Sequence, residues 1–275
     1  MPQTSNGIYR AKQGTYAAFV GFTCEGVTAI CTVTLHIGYG DPLGGPLVCE
    51  TWNFSPLVSY AWNVEYNTGL SVTSTLADST GATLVLAEAS ILYTPTSSIP
   101  GAGFDITDMY GNTWYALSRS PWDADTLFYA WNARTGPNHS ITATATGTGM
   151  SAVNLPLAVF AFANVATGSD PFVSGTDLTA TTYPTPGTSV QPGSVTPSTE
   201  DLIFTGYDND SGVIANINSG FTPMVTALTL PGGGTVNNPI GAFLIAPNGS
   251  AVNPTWTYAS PDSYPAARIA VFRAA

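Results

Sequence analysis

The chain reads as an all-β protein, and three features predict that class. Short β-branched and aromatic runs recur between Gly, Pro, Asn and Asp punctuation. Helical periodicity with a charged outer face is nowhere convincing, and six Lys+Arg with 17 Asp+Glu leave little material for an exposed helix surface. Ser140–Thr146 alternates strictly, with hydroxyls on one face and small apolar groups on the other.

The elements follow in order. Tyr16–Phe22, Ala29–Ile37 and Leu47–Phe54 are the strands expected near the N-terminus. Ser71–Leu76 comes next, then Thr83–Tyr93. Most of that second run is apolar, as is Leu155–Phe162, which predicts central strands covered on both faces. Phe104–Met109 and Thr113–Ser118 flank Tyr110-Gly111-Asn112, a tight-turn signal. Asp125–Asn132, Ser140–Thr146 and Leu155–Ala163 continue the series. Asp201–Tyr207, Met224–Leu230, Gly241–Ala246, Thr255–Tyr258 and Arg268–Arg273 complete it. Many short strands at regular spacing predict a sandwich or jelly roll. Thr179–Pro197, with Pro184, Pro186, Pro192 and Pro197, is expected to be an extended loop, as is Pro247–Pro254, because strands resume after each. No strict internal repeat is legible.

Composition narrows the function. The 275 residues carry a net charge of -11, yet only 8% are charged and 44% are hydrophobic, which excludes a disordered chain. So acidic a chain has little with which to neutralise phosphates, so nucleic acid and anionic membrane surfaces are not expected partners. The longest apolar stretch, Leu155–Val165, is interrupted by Pro156 and Asn164 and is too short to span a bilayer. No secretory signal pattern is visible. Lys12 is the sole lysine, so Ser, Thr, Asn and Gly must cover the surface, and weak charge repulsion favours association between copies.

Several pieces after Gly69 resemble, in their order, a widespread and mostly uncharacterised jelly-roll-like β-sandwich module of bacterial surface proteins and phage structural proteins. Ala82–Ala87 is similar to its first long buried strand, and Ile106–Trp114 to its D-x-x-G-N-x-aromatic hairpin. Phe128-Tyr129-Ala130 with His139–Thr142, and Leu157–Phe162, resemble later strands. Pro192–Pro197 leading to Glu200–Phe204 resembles the late strand entry, and Ala266–Arg273 the closing strand. The resemblance covers about residues 69–275 and implies a fold without catalytic residues. It leaves a β-rich N-terminal segment, 1–57, ahead of a sandwich domain over 58–275. That segment is an arm, a small subdomain or extra strands on the sandwich.

Candidate sites are few. Cys24, Cys31 and Cys49 are an odd set, with Cys24–Cys31 and Cys31–Cys49 both open as disulfides. A zinc site would need His36 as well and lacks a tight knuckle. The two histidines, His36 and His139, read as a strand residue and a turn cap, and no G-x-S-x-G elbow exists. The carboxylate pairs are Asp105/Asp108, Asp123/Asp125 and Asp208/Asp210. Asp208-Asn209-Asp210-Ser211-Gly212 alternates oxygen ligands, so Asp208 and Asp210 form the candidate calcium site, beside the plain turn reading. No other cofactor is expected. Asp108 is expected to brace the hairpin at Gly111-Asn112. Trp122, on a loop, is the candidate carbohydrate contact, whereas Trp114 and Trp131 are expected to be packed. Lys12, the residue an isopeptide crosslink would need, reads as a solvated N-terminal residue. The expected function is a non-enzymatic structural protein on an assembled particle: a phage head-decoration, fibre or tail component. It would form homo-oligomers or bind other particle proteins. The alternative is a secreted or cell-surface module that binds glycans.

Overall fold

A computed structural model describes residues 19–20, 35–37, 48–50, 56–65, 69–91, 103–117, 126–147, 154–178, 187–208, 214–229, 235–262 and 266–275. These residues hold strands and no helix, so the protein is all-β and its sheets are antiparallel. In chain order the strands are β1 (Phe19–Val20), β2 (Leu35–Ile37), β3 (Val48–Glu50), β4 (Leu57–Glu65), β5 (Ser71–Asp78), β6 (Leu84–Ala89) and β7 (Gly103–Asp108). Then come β8 (Tyr115–Ala116), β9 (Thr126–Trp131), β10 (Pro137–Thr146), β11 (Leu155–Phe162), β12 (Phe172–Leu178) and β13 (Gly187–Val190). The last are β14 (Leu202–Asp208), β15 (Ile214–Ile217), β16 (Thr222–Thr229), β17 (Thr235–Ile245), β18 (Trp256–Asp262) and β19 (Ala266–Phe272).

β1, β2 and β3 form a small sheet of their own. The other sixteen strands build two halves with one topology. In the first half β4-β11-β6-β9-β8 faces β5-β10-β7; in the second β12-β19-β14-β17-β16 faces β13-β18-β15. Numbered from one to eight within each half, the orders are the same, 1-8-3-6-5 over 2-7-4. This is jelly-roll winding with the fifth strand moved onto the larger sheet.

The repeat extends to details. β4 pairs with β11 through a bulge that skips Val58, between Leu57↔Phe162 and Ser59↔Ala161. β12 pairs with β19 through a bulge that skips Val173, between Phe172↔Phe272 and Ser174↔Val271. Ala163 N–H donates to Pro56 O, and Arg273 N–H to Pro171 O, both at 2.8 Å. The topology is thus repeated although the sequence carries no strict internal repeat. The stretch read as one sandwich, 58–275, contains two. The sequence hid this because the loops differ in length and few side chains coincide, Pro-Leu-Val-Ser at 56–59 and Pro-Phe-Val-Ser at 171–174 being the clearest echo.

Four sheets lie in layers with three apolar interiors between them. Val72, Leu76, Ile141 and Ala143 meet Val85, Ala87, Leu157 and Val159 inside the first half. Ile203, Ile269 and Val271 meet Val195, Ile217 and Trp256 inside the second. Leu84, Leu86, Phe160 and Phe162 meet Leu202, Phe204, Phe243 and Phe272 between the halves. Strands β6, β11, β14 and β19 thus feed one core with odd-numbered side chains and another with even ones. That is why β6 and β11 read as nearly continuous apolar runs.

The main departures from the expected strands are at edges. β4, β12, β13 and β15 were not anticipated, and each ends a sheet. They are interrupted by polar residues or Gly and lack a continuous apolar run or a strict alternation, which left them unmarked. β13 lies inside the proline-rich stretch, where an edge position tolerates the prolines that flank it. β17 is longer than expected because Thr235 to Pro239 extend a hairpin with β16 beyond the residues that pair with β14.

Candidate functional site

The densest polar chemistry lies inside the first half, where β5, β10 and β7 run side by side in that order. Ser79 follows β5, His139 lies near the start of β10, and Asp108 ends β7. Ser79 and His139 are fully buried, and the Asp108 carboxylate is shielded from solvent. The Ser79 hydroxyl donates to Gly136 O at 3.0 Å, accepts the Gly136 N–H at 3.1 Å, and lies 2.9 Å from His139 Nδ1. His139 Nε2 faces Asp108 Oδ1 at 3.7 Å. Gly136 O also receives the Ser79 N–H at 3.0 Å, so the hydroxyl proton can serve either Gly136 O or Nδ1.

Asp108 is the organising residue. Oδ1 accepts the N–H groups of Tyr110 at 2.8 Å and Asn112 at 3.3 Å, and Oδ2 accepts Trp114 Nε1–H at 2.7 Å. Burial alone would raise its pKa. The nearby His139 ring, at 3.7 Å, and the hydrogen bonds from Trp114, Asn112 and Tyr110 together outweigh that and hold the carboxyl at about 2. Gly111 takes a φ of 68°, a left-handed conformation that favours glycine at the turn tip. The Tyr110 ring meets His139 edge-on at 4.8 Å, and its hydroxyl donates to Pro137 O at 2.9 Å. Asn112 clamps Arg134 by two bonds, Nδ2–H to O at 2.9 Å and Arg134 N–H to Oδ1 at 2.7 Å.

A Ser–His–Asp series can activate a hydroxyl for attack on a carbonyl, provided that carbonyl can reach it. Here Ser79 is closed off from solvent and bonded to a backbone it holds in place. In this conformation the group is a brace that ties β5, β7, β10 and the 132–136 turn together. The expected turn-bracing role of Asp108 is what the geometry places there. The turn-cap reading of His139 is corrected: it is a buried strand residue. No local signal marks Ser79, since only the adjacency of β5 and β10 brings it to His139.

The outer face of this sheet is a regular hydroxyl surface. Ser71 pairs with Thr144 at 2.9 Å, Thr73 with Thr142 at 2.8 Å, and Thr75 with Ser140 at 3.0 Å. Asp105 lies opposite Thr144, and Thr107 opposite Thr142. Asp105 is exposed while the Asp108 side chain turns inward, so these two carboxylates do not form a pair. Asp123, Asp125, Asp210, Trp122, Cys24, Cys31 and Lys12 lie outside the described residues. So does the side chain of Cys49, whose backbone pairs with His36, and that of Asp208, which ends β14 opposite Ala266. Trp114 and Trp131 are partly buried and packed, as expected. No family model matches the chain, and no curated protein or solved structure was found similar to it.

Proposed function

We propose that the protein is a non-enzymatic structural component exposed on an assembled particle, of the kind that decorates a phage head or builds a fibre or tail. The observation that carries this reading is the outer face of β5-β10-β7. Its hydroxyls pair with one another in three successive registers, and Asp105 is the charged residue among them. A face of that kind needs little desolvation of charge when it lies against another chain. Its backing is rigid, since Val72, Leu76, Ile141 and Ala143 on the inner side are buried. The Ser79–His139–Asp108 group supports the same reading by stiffening that sheet from within.

The test is assembly. Light scattering and electron microscopy of the purified chain over a wide concentration range are expected to show defined oligomers or filaments. Thr73→Lys with Thr142→Lys, on the outer face, is expected to abolish them and leave the fold unchanged. A chain that stays monomeric throughout, or assembly indifferent to these changes, would count against the proposal. A second reading, carbohydrate binding, draws on Tyr115, an exposed ring backed at 5.4 Å by Tyr129. Glycan binding lost in Tyr115→Ala or Trp122→Ala would favour it.

A further inference from the structure

The two halves face each other about a pseudo-twofold axis. Phe162 corresponds to Phe272 by the shared bulge, and their strand partners make Leu84 equivalent to Leu202 and Tyr129 to Phe243. The contacts between halves obey the same exchange. Phe162 meets Phe243 at 5.6 Å, and its counterpart Phe272 meets Tyr129 at 5.5 Å.

The same registers make Glu88 equivalent to Gly206, since they pair with Ala158 and Arg268 respectively. Glu88 also lies directly over Gly206, where any side chain would collide with its carboxylate. A position that touches its own counterpart lies on the axis. There the symmetry is broken. The first half contributes a carboxylate, and the second a glycine with Arg268 beside it. Glu88 Oε1 and Arg268 Nη1 are 3.2 Å apart across the interface, both buried.

We propose that Glu88, Gly206 and Arg268 form a key that makes each half accept the other half and reject a like half from a second copy. In the unlike pairing one acid meets one base over a glycine. Two first halves joined about the same axis would set Glu88 against Glu88. Two second halves would bury two Arg268 side chains and bring no Glu88. Both like pairings leave desolvated charge without its opposite, which is costly. The apolar surround, Leu86, Phe160, Phe204 and Ala270, is sticky without being selective, so selectivity falls to the charged residues. The key therefore selects an unlike half over a like one, and in this structure the unlike half is that of the same chain.

The full chain provides the test. Two differently tagged pools are unfolded and refolded together, and co-capture of the tags is compared with that of pools mixed in the native state. Association through outer surfaces appears in both mixtures, whereas exchange of halves appears only after joint refolding. The wild type is expected to show no excess. Glu88→Gln with Arg268→Met removes both charges at similar volume and is expected to raise co-capture after joint refolding about ten-fold. Arg268→Lys is expected to stay near the wild type. Should the double variant not refold, Glu88→Gln alone is expected to show the same rise. No excess in whichever of these refolds, or an excess no larger than that of the wild type, would overturn the proposal.

Discussion

Asp108 shows how much one residue can organise. Its carboxylate holds the Tyr110–Asn112 turn and the Trp114 ring and lies 3.7 Å from His139 Nε2. Because its folded pKa is about 2 against an ordinary 3.8, the ionised form stabilises the folded state. That contribution is complete well above 3.8, fades as pH falls below it, and is gone below about 2. Denaturant unfolding across this range should show the loss in the wild type. Asp108→Asn should be less stable at neutral pH and lack that component. A wild-type curve that matched the variant's would show that the carboxylate contributes nothing. Ser79→Ala leaves the Gly136 N–H and His139 Nδ1 without their buried hydroxyl, so a cost of about 1–3 kcal/mol is expected in the same measurement. A loss within error would mean that the cluster rearranges freely.

At the scale of the element, β10 unites two surfaces. Its odd residues, such as Ile141 and Ala143, are buried in the core, while Ser140, Thr142 and Thr144 bond across to β5. A double-mutant cycle on Thr73→Val and Thr142→Val should give a coupling of roughly 0.2–1 kcal/mol, the range of cross-strand pairs. Zero coupling would mean that the hydroxyls prefer water to each other. Edge strands follow a different logic. β4 and β12 carry equivalent bulges at Val58 and Val173, and a bulge twists an edge away from further pairing. Pro239 is accommodated in β17 because the part of the strand that pairs with β14 begins at Ala242, so its missing N–H costs no bond on that side. The strands missed from sequence are all of this edge type, and none carries the continuous apolar run or strict alternation that marks β6, β10 and β11.

At the scale of the molecule, β4–β19 close into two sandwiches whose strands all find partners within 56–275. Removing residues 1–55 is therefore expected to leave a cooperatively unfolding protein with Tm within about 4 °C of the full chain, or ~1 kcal/mol. Differential scanning calorimetry decides it, and loss of the transition would make the N-terminal segment integral. Between the halves, the Tyr129 hydroxyl donates to Asp170 at 2.9 Å. Burial and then the Asp170 carboxylate push its pKa upward, so it remains a donor across the neutral range.

The sequence by itself determined the class, most strand positions and the two-sided burial of β6 and β11. Alternation and apolar runs are local consequences of which faces are covered. It also marked Asp108, because an Asp two residues before a turn carries its partners nearby in the chain. The tertiary structure alone decided that one apparent sandwich is two, that Ser79 meets His139, and that Glu88 reaches Arg268 over Gly206. Each of those depends on partners far apart in sequence, brought together by strand order and register. A repeated backbone needs only equivalent burial at equivalent positions, and apolar residues exchange freely under that demand, so the topology can repeat without a repeated sequence.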